Sequence, residues 1–256
     1  MLKMRYNLKW LTDRFDTGEA IDYIFFWGHS NKSNEDIGKF VFSQWYPAPF
    51  VVDDVEYKTT EHWMMAQKAS LFGDNEIAQK IIASDSPGKA KELGRMVRGF
   101  DEIKWDERKF EIVKTGSIHK FHQNKKLRSF LTGTGNHVLV EASPTDMIWG
   151  IGLSQDSGMV DNPYAWQGEN LLGFALMEAR DFLVSTGDFK YVETAMLPPW
   201  KRFPNIDPHD MFWRMGGGEQ YVMDLGDYFK SLSDRDQKIY QLSYPASGDW
   251  VDYYSR

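Results

Sequence analysis

Hydrophobic and polar positions change their spacing several times along the chain, and each change marks a predicted element. An aromatic run over residues 23–27 predicts a short buried strand. Residues 50–57 form two apolar segments around an Asp-Asp pair, which predicts a small hairpin. A third apolar run predicts a strand over residues 137–141. Residues 1–20 are polar with scattered aromatic side chains, and they predict a loose lead-in.

Helices are predicted to dominate from residue 59 onward. Thr59 and Thr60 can cap the first helix, Asp74 can cap the second, and Ser86 followed by Pro87 begins the third. The predicted helices cover residues 59–69, 75–83, 86–93, 105–123, 125–131, 170–184 and 228–240. The helix at 170–184 follows Gly168, so its N-terminus can face a ligand.

A change in composition near residue 186 divides the chain. The predicted organisation is a lead-in over 1–21, a main domain over 22–185 and an extension over 186–256 rich in Pro, Trp, Tyr and Asp. The extension is expected to form an ordered appendage packed against the main domain, where it closes over a substrate, binds a partner or selects a macromolecular substrate. Gly216–Gly218 is interpreted as a flexible turn.

Composition and charge narrow the function classes. The 256 residues carry a net charge of −7, which argues against coating nucleic acid through bulk charge. The absence of cysteine excludes disulfides, thiolate metal sites and a thiol nucleophile. Because no signal peptide or membrane span is visible, a cytoplasmic protein without membrane contact is expected. Ten tryptophans suit a site that stacks flat ligands, and equally suit a core.

Few patterns in the chain point to catalysis. The six histidines lack metal-ligand spacing, and no glycine-rich phosphate loop or nucleophilic serine motif occurs, so no metal site is expected. What remains is a set of carboxylates among apolar neighbours: Glu61, Glu141 and Asp146. Glu61, Met65 and Lys68 share one face of the first predicted helix. Taken alone, a solvated surface face explains them better than a site does.

Basic residues are concentrated in the middle of this acidic chain. Residues 85–128 contain twelve Lys and Arg against seven Asp and Glu. This local excess can bind a phosphate, for instance through Lys89, Arg95 or Lys120. For most of these side chains, however, a solvated helical face is the better interpretation.

Several short motifs together carry a family resemblance. In chain order these are Thr60-Glu61-His62, Gln67-Lys68-Ala69, Gly94-Arg95, Lys120-Phe121, Leu139-Val140-Glu141, Asp146, Trp149-Gly150, and Asn170-Leu171-Leu172-Gly173 followed by Met177 and Arg180. Their order and spacing resemble the YbiA-like, or NADAR, family over residues 22–185. Phe25-Phe26 and Phe42-Ser43 extend the likeness. The family's Phe-Ser-Asn-Phe segment reads Phe-Ser-Gln-Trp here, so a ligand role for the Asn does not transfer directly to Gln44.

The resemblance implies a compact, mostly helical α+β fold and an N-glycosidase that cleaves a ribose–base C–N bond. It implies a phosphoribosylaminopyrimidine of riboflavin synthesis or an ADP-ribosylated guanine as substrate, with nucleic acid as a partner only in the second case. By position, the resemblance implies that Glu61 is the catalytic glutamate and that Trp105, Asp146 and Trp149 lie around the substrate. Further candidates from residue chemistry and the matching motifs are Asp146 and Lys68 for catalysis, and Arg95, Phe26, His62 and Asn170 for substrate contacts, with Lys68 and Arg95 able to bind phosphate. No cofactor is implied.

Residue chemistry agrees with this implied reaction. Cleavage of the bond builds positive charge on the ribose, which a Glu61 carboxylate can stabilise while it activates water. Lys68 can instead form a Schiff base with an opened ribose. Three function classes stay open: a metabolite N-glycosidase, an ADP-ribosyl hydrolase acting on modified nucleic acid, and a non-catalytic NAD- or ADP-ribose-binding module.

Each candidate residue also has a structural interpretation. Asp146 can cap the turn before Trp149, and Asn170 can be no more than an N-cap. Trp105 and Trp149 can be plain core residues. Glu141 can pair with a structural arginine, and it ranks below Asp146.

Overall fold

The chain forms two compact units, residues 1–184 and residues 185–256. The computed structural model describes residues 4–30, 36–193, 196–246, 250 and 253–255, so parts of the predicted lead-in and extension lie outside the described residues. The α-helices are α1 (Leu8–Asp16), α2 (Thr60–Leu71), α3 (Asn75–Ala83), α4 (Pro87–Gly94), α5 (Glu102–Gln123), α6 (Lys125–Thr132), α7 (Leu171–Thr186), α8 (Pro199–Arg202), α9 (Gly216–Ser231) and α10 (Asp234–Ser243). The strands are β1 (Tyr23–Phe26), β2 (Phe50–Val52), β3 (Val55–Tyr57) and β4 (Val138–Glu141). This is the mostly helical α+β fold that was expected.

The strands pair two by two. β1 and β4 are parallel, with Phe26 opposite Glu141, so the C-terminal ends of both strands lie at the same edge of the sheet. β2 and β3 form the predicted hairpin, in which Asp53 and Asp54 adopt φ values of 50° and 61°. A two-residue turn of this kind requires positive φ at both positions, and Asp tolerates that conformation. Trp27 was wrongly included in the first strand, since it follows β1 and is 60% exposed.

Capping side chains set the helix starts as predicted. Thr59, Asp74 and Ser86 accept hydrogen bonds from first-turn backbone N–H groups of α2, α3 and α4 respectively. α5 begins earlier than predicted, because Asp101 caps it by accepting from the Lys104 N–H.

Three local predictions were wrong. The lead-in contains α1, which Asn7 caps and which buries Leu11 completely. The predicted helix at 228–240 is two helices. Leu232 has an extended backbone that ends α9, and the side chain of Ser233 caps α10. Gly216–Gly218 forms the first turn of α9 instead of a flexible turn.

The unit over residues 185–256 has a small core of its own. Leu225, Tyr240 and Tyr244 are buried at its centre. The hydroxyls of Tyr240 and Tyr244 donate to the backbone carbonyls of Met196 and Val192, which satisfies these polar groups inside an aromatic cluster. Its role toward a substrate stays a prediction. In neither unit do the described residues include a helix with the length and apolar character that crossing a membrane requires.

Candidate active site

The candidate site is built on the first turn of α2, which is buried. The N–H of Glu61 lacks an intrahelical partner at this position and donates to the carbonyl of Gln44 at 3.0 Å. The hydroxyl of Thr60 donates to the same carbonyl at 3.1 Å. These two bonds fasten the start of the helix to the loop that follows the short 3₁₀ helix Lys39–Phe42. Glu61 and Gln44 are thereby held side by side.

The carboxyl of Glu61 is 3% exposed, and its environment has both signs of charge. Its pKa is raised to about 7, chiefly by burial and to a smaller extent by the charge of Asp146. Lys91, a hydrogen bond from the Trp45 side chain, and Arg95 act in the opposite direction. Among the described residues, no donor lies within hydrogen-bond distance of Glu61 Oε1, although this atom is fully buried. Buried polar atoms are nearly always satisfied, so this oxygen points to a functional site.

Lys91 and Arg95 place positive charge beside this carboxylate. They are four residues apart on α4 and its C-terminal cap, and so share a face. α4 can lie this close to α2 because it has no side chain at Gly94, where a Cβ would come within 2.1 Å of Met65 Sδ. Sequence reasoning selected Arg95 and missed Lys91. The sequence signal that could have indicated Lys91 is its spacing of four residues from Arg95.

Asp146 has a structural role and an electrostatic one. Its Oδ1 accepts hydrogen bonds from the N–H groups of Ile148 at 3.0 Å and Trp149 at 2.8 Å, so it does cap the turn. Its charge nevertheless raises the pKa of both Glu61 and Glu141. Asp146 therefore lies near both glutamates, and its catalytic role stays a prediction. Trp149 is part-buried in the same turn.

Glu141 closes this set of carboxylates at the end of β4. Burial raises its pKa to about 8, with a further contribution from Asp146, so the side chain is mostly protonated at neutral pH. The expected pairing with a structural arginine was wrong: Arg180 donates instead to Thr134 Oγ1 and the His137 carbonyl. Glu141 thus lies closer to the site than its ranking below Asp146 implied.

Lys68, farther along α2, lies close to Trp105 of α5. Lys68 Nζ donates to the Gly94 carbonyl at 3.0 Å, and it lies 4.3 Å from the ring centroid of Phe100 and 5.6 Å from that of Trp105. Burial lowers the pKa of Lys68. Seven residues separate it from Glu61, roughly 10 Å along the helix axis. The two predicted catalytic side chains therefore occupy successive points on one face of α2.

Three predicted substrate contacts are buried in the protein interior. Phe26 packs against Phe42, with ring centroids 5.3 Å apart. Both ring nitrogens of His62 are engaged, by Thr59 Oγ1 at 2.8 Å and by the Ser84 carbonyl at 3.2 Å. These positions make Phe26 and His62 part of the frame that holds α2 and β1.

Asn170 is the third of these residues, and it joins β4 to the turn after it. Its Oδ1 accepts from the Glu141 N–H at 3.0 Å, and its Nδ2 donates to the Leu139 carbonyl at 2.9 Å. A Cβ at Gly173 would come within 2.0 Å of that carbonyl, so only glycine allows this close approach. The first N–H groups of α7 donate to carbonyls of the 148–150 turn. The expectation that this N-terminus faces a ligand was therefore wrong.

Lys120 was considered as a phosphate ligand, and its position contradicts that. Its ammonium is buried and donates to the carbonyls of Val41 at 2.7 Å and Ser43 at 2.9 Å. Burial lowers its pKa to about 7. Through these two hydrogen bonds, the Lys120 side chain holds the loop that carries Gln44 and Trp45.

We expect this buried lysine to make stability depend on pH. Its pKa is lower in the folded protein than in the unfolded chain, so the unfolded chain binds more protons between pH 7 and about 10. Stability should rise with pH by up to about 1.4 kcal/mol per unit over that range. Urea unfolding at pH 7, 8 and 9 should show this slope in the wild type. The slope should decrease in Lys120→Met and persist in the exposed control Lys89→Met; equal slopes in all three would contradict the assignment.

The fold and this site define a class: a mostly helical α+β domain with a buried carboxylate at the start of one helix. A sequence model of the NADAR domain matches residues 25–184. N-glycosidase R617 of Acanthamoeba polyphaga mimivirus is 44% identical over 168 residues, which cover 64% of this chain and 97% of the relative. N-glycosidase YbiA of Escherichia coli K12 is 32% identical over 152 residues, which cover 59% and 84%.

A solved structure supports the same grouping. The NMR structure of E. coli YbiA superimposes with a TM-score of 0.51 and 26% identity, covering 69% of this chain and 94% of that one. The chain belongs to the NADAR family, which confirms the resemblance drawn from its motifs. Among the described residues, no group of three or more His, Asp or Glu side chains is arranged to hold a metal ion.

Proposed function

We propose that this protein is an N-glycosidase that hydrolyses the C–N bond between a phosphorylated ribosyl group and a base. One observation carries the proposal: Glu61 is buried, has a pKa of about 7, and keeps one oxygen without a protein donor among the described residues. The names of the two relatives, both N-glycosidases, support the reaction class.

Glu61 has the properties that this reaction requires. As the bond to the base nitrogen breaks, positive charge develops on ribose C1′ and the ring oxygen, and a nearby carboxylate stabilises it. Water then adds OH to C1′, and its proton balances the one that the base nitrogen gains. A pKa near 7 lets Glu61 accept that proton at neutral pH. Burial strengthens the electrostatic effect because the local dielectric is low.

The cations beside Glu61 support a phosphorylated substrate. Lys91 and Arg95 both favour negative charge at this point, and Arg95 is exposed, so it can reach a phosphate in solution. Trp149 and Asp146 lie in one turn near Glu61 and can contact the base or the ribose. Two substrate types fit this description, a phosphoribosylaminopyrimidine and an ADP-ribosylated guanine.

A product assay with both substrates tests the proposal. Wild-type protein is incubated with each compound at low and high salt, and free base or free ADP-ribose is measured by chromatography. Glu61→Gln, purified and assayed in the same way, shows whether a contaminating enzyme releases product. Release from the pyrimidine compound alone, with little salt effect, identifies a metabolite glycosidase. Release from the modified oligonucleotide, with strong salt dependence, identifies an enzyme that removes ADP-ribose from nucleic acid. No release from either compound overturns the proposal and leaves a binding module.

Lys68 is proposed as a covalent participant once the ribose has opened. Its lowered pKa makes the neutral amine more available, and the amine can attack the C1′ aldehyde with loss of water to form a Schiff base. Borohydride added during turnover should therefore trap a ribosyl adduct on the wild type. Lys68→Arg keeps the charge and should give no adduct. An adduct of equal yield in both proteins, or in neither, would limit Lys68 to a cationic role.

A further inference from the structure

The start of α2 holds a second buried acceptor that the protein does not satisfy. Gln44 is 6% exposed, and its Oε1 has no hydrogen-bond donor in the described parts of the chain. Glu61 Oε1 shares this property. An unsatisfied buried acceptor destabilises the folded protein, so two of them at the start of the same helix call for an explanation.

Both side chains lie against the same face of α2. The Gln44 carbonyl accepts from the Glu61 N–H at 3.0 Å, which joins the two backbones. Gln44 Nε2 lies 3.7 Å from Met64 Sδ, one helical turn beyond Glu61 on that face. The contact occupies the amide's nitrogen and leaves its oxygen as the available acceptor.

Two unsatisfied acceptors at the start of one helix suit a ligand that carries more than one donor. The hydroxyls of a ribose are such donors, and the 2′-hydroxyl is bonded to the carbon next to C1′. If Glu61 acts at C1′, the Gln44 amide, which contacts Met64 one turn along the same face, is the nearest unsatisfied acceptor of this face that could receive that hydroxyl.

We propose that Gln44 contacts the substrate directly, accepting a hydrogen bond from the ribose 2′-hydroxyl, and thereby selects ribosyl over 2-deoxyribosyl groups. The assignment rests on the proposed function, because it takes the ligand to be a ribosyl compound. A site built to bind a hydroxyl discriminates strongly against the analogue that lacks it, since its polar group is then left unpaired.

Binding of two sugars to the full chain tests this inference without requiring turnover. Ribose 5-phosphate and 2-deoxyribose 5-phosphate are titrated into wild type, Gln44→Met and the exposed control Gln79→Met by calorimetry. We expect wild type and Gln79→Met to prefer the ribose compound by about tenfold or more, the scale of one lost hydrogen bond that leaves its partner unpaired. Gln44→Met should bind the deoxy compound as wild type does and lose most of the preference.

A shorter amide provides the second variant. Gln44→Asn keeps the chemistry and retracts the oxygen by one methylene, so it should retain only part of the preference, and it serves if Gln44→Met does not fold. Equal binding of both sugars by the wild type, binding of neither, or an unchanged preference in the Gln44 variants would overturn the inference. The product assay separates the two ideas. Hydrolysis without a Gln44 effect removes this inference alone, whereas a Gln44-dependent preference without hydrolysis removes the enzymatic proposal alone.

Discussion

Replacing Glu61 with Gln is expected to lower kcat by about 10³-fold, because it removes the group that meets the developing ribosyl charge. Gln keeps the size of the side chain but can neither carry negative charge nor take a proton. The substrate should still bind through Lys91 and Arg95, so KM should change much less than kcat. In the wild type, kcat/KM should rise with pH through about 7 as Glu61 ionises.

The same substitution should make the folded protein more stable at neutral and alkaline pH. The pKa of Glu61 rises from 4.5 in the unfolded chain to about 7 in the folded protein, so the folded state holds the proton more tightly. Wild-type stability therefore falls as pH rises from 4.5 to about 7, by up to about 3 kcal/mol. Glu61→Gln removes this loss, and the gain should be largest above pH 7. A gain in stability with a loss of activity is the expected mark of a strained functional group.

Two measurements on each variant check this pair of effects. Base release gives kcat, and urea unfolding at pH 5 and pH 8 gives the stability difference. Glu107→Gln is the matched control, because Glu107 is exposed on α5 and should leave both quantities unchanged. Full activity in Glu61→Gln would remove Glu61 from the reaction. Lower stability of that variant at pH 8 would contradict this assignment, because the buried carboxylate would then form a stabilising interaction that Gln cannot replace.

Replacing Asn170 with Ala is expected to lower the free energy of unfolding by about 3 kcal/mol or more. Two buried hydrogen bonds are lost, and they leave the Glu141 N–H and the Leu139 carbonyl unsatisfied. Residue 170 also has a φ of 55°, a left-handed conformation that Asn tolerates better than Ala. Because Asn170 holds the backbone of Glu141, activity should fall together with stability.

A matched pair of variants separates the two causes. Asn170→Gly loses the same side-chain bonds but accepts the left-handed backbone, so it should be about 1 kcal/mol more stable than Asn170→Ala. Thermal and urea unfolding of both variants, with KM and kcat measured on the same samples, test the assignment. A raised KM at wild-type stability would instead identify Asn170 as a substrate contact, as the family resemblance implies.

Local elements could be predicted from the sequence because their causes are local. Thr59, Asp74 and Ser86 cap helices through hydrogen bonds to residues three positions away, and such contacts depend on no other part of the chain. The Asp-Asp turn is local for the same reason. The wrong predictions at 1–20 and 228–240 came from signals of the same kind that were overlooked, the caps at Asn7 and Ser233.

The sequence by itself also determined the family, since its motifs keep their order and spacing, and it singled out Glu61 as the residue most suited to the chemistry. The surroundings of that residue were decided only by tertiary structure. Lys91, Trp45 and the backbone carbonyl of Gln44 meet Glu61 because α4 and the loop at 43–46 dock on α2. Lys120 became a support of that loop, although its sequence position was compatible with a phosphate ligand. Burial and Coulomb interactions depend on distances between elements that are far apart in the chain, and no spacing within one helix encodes those distances.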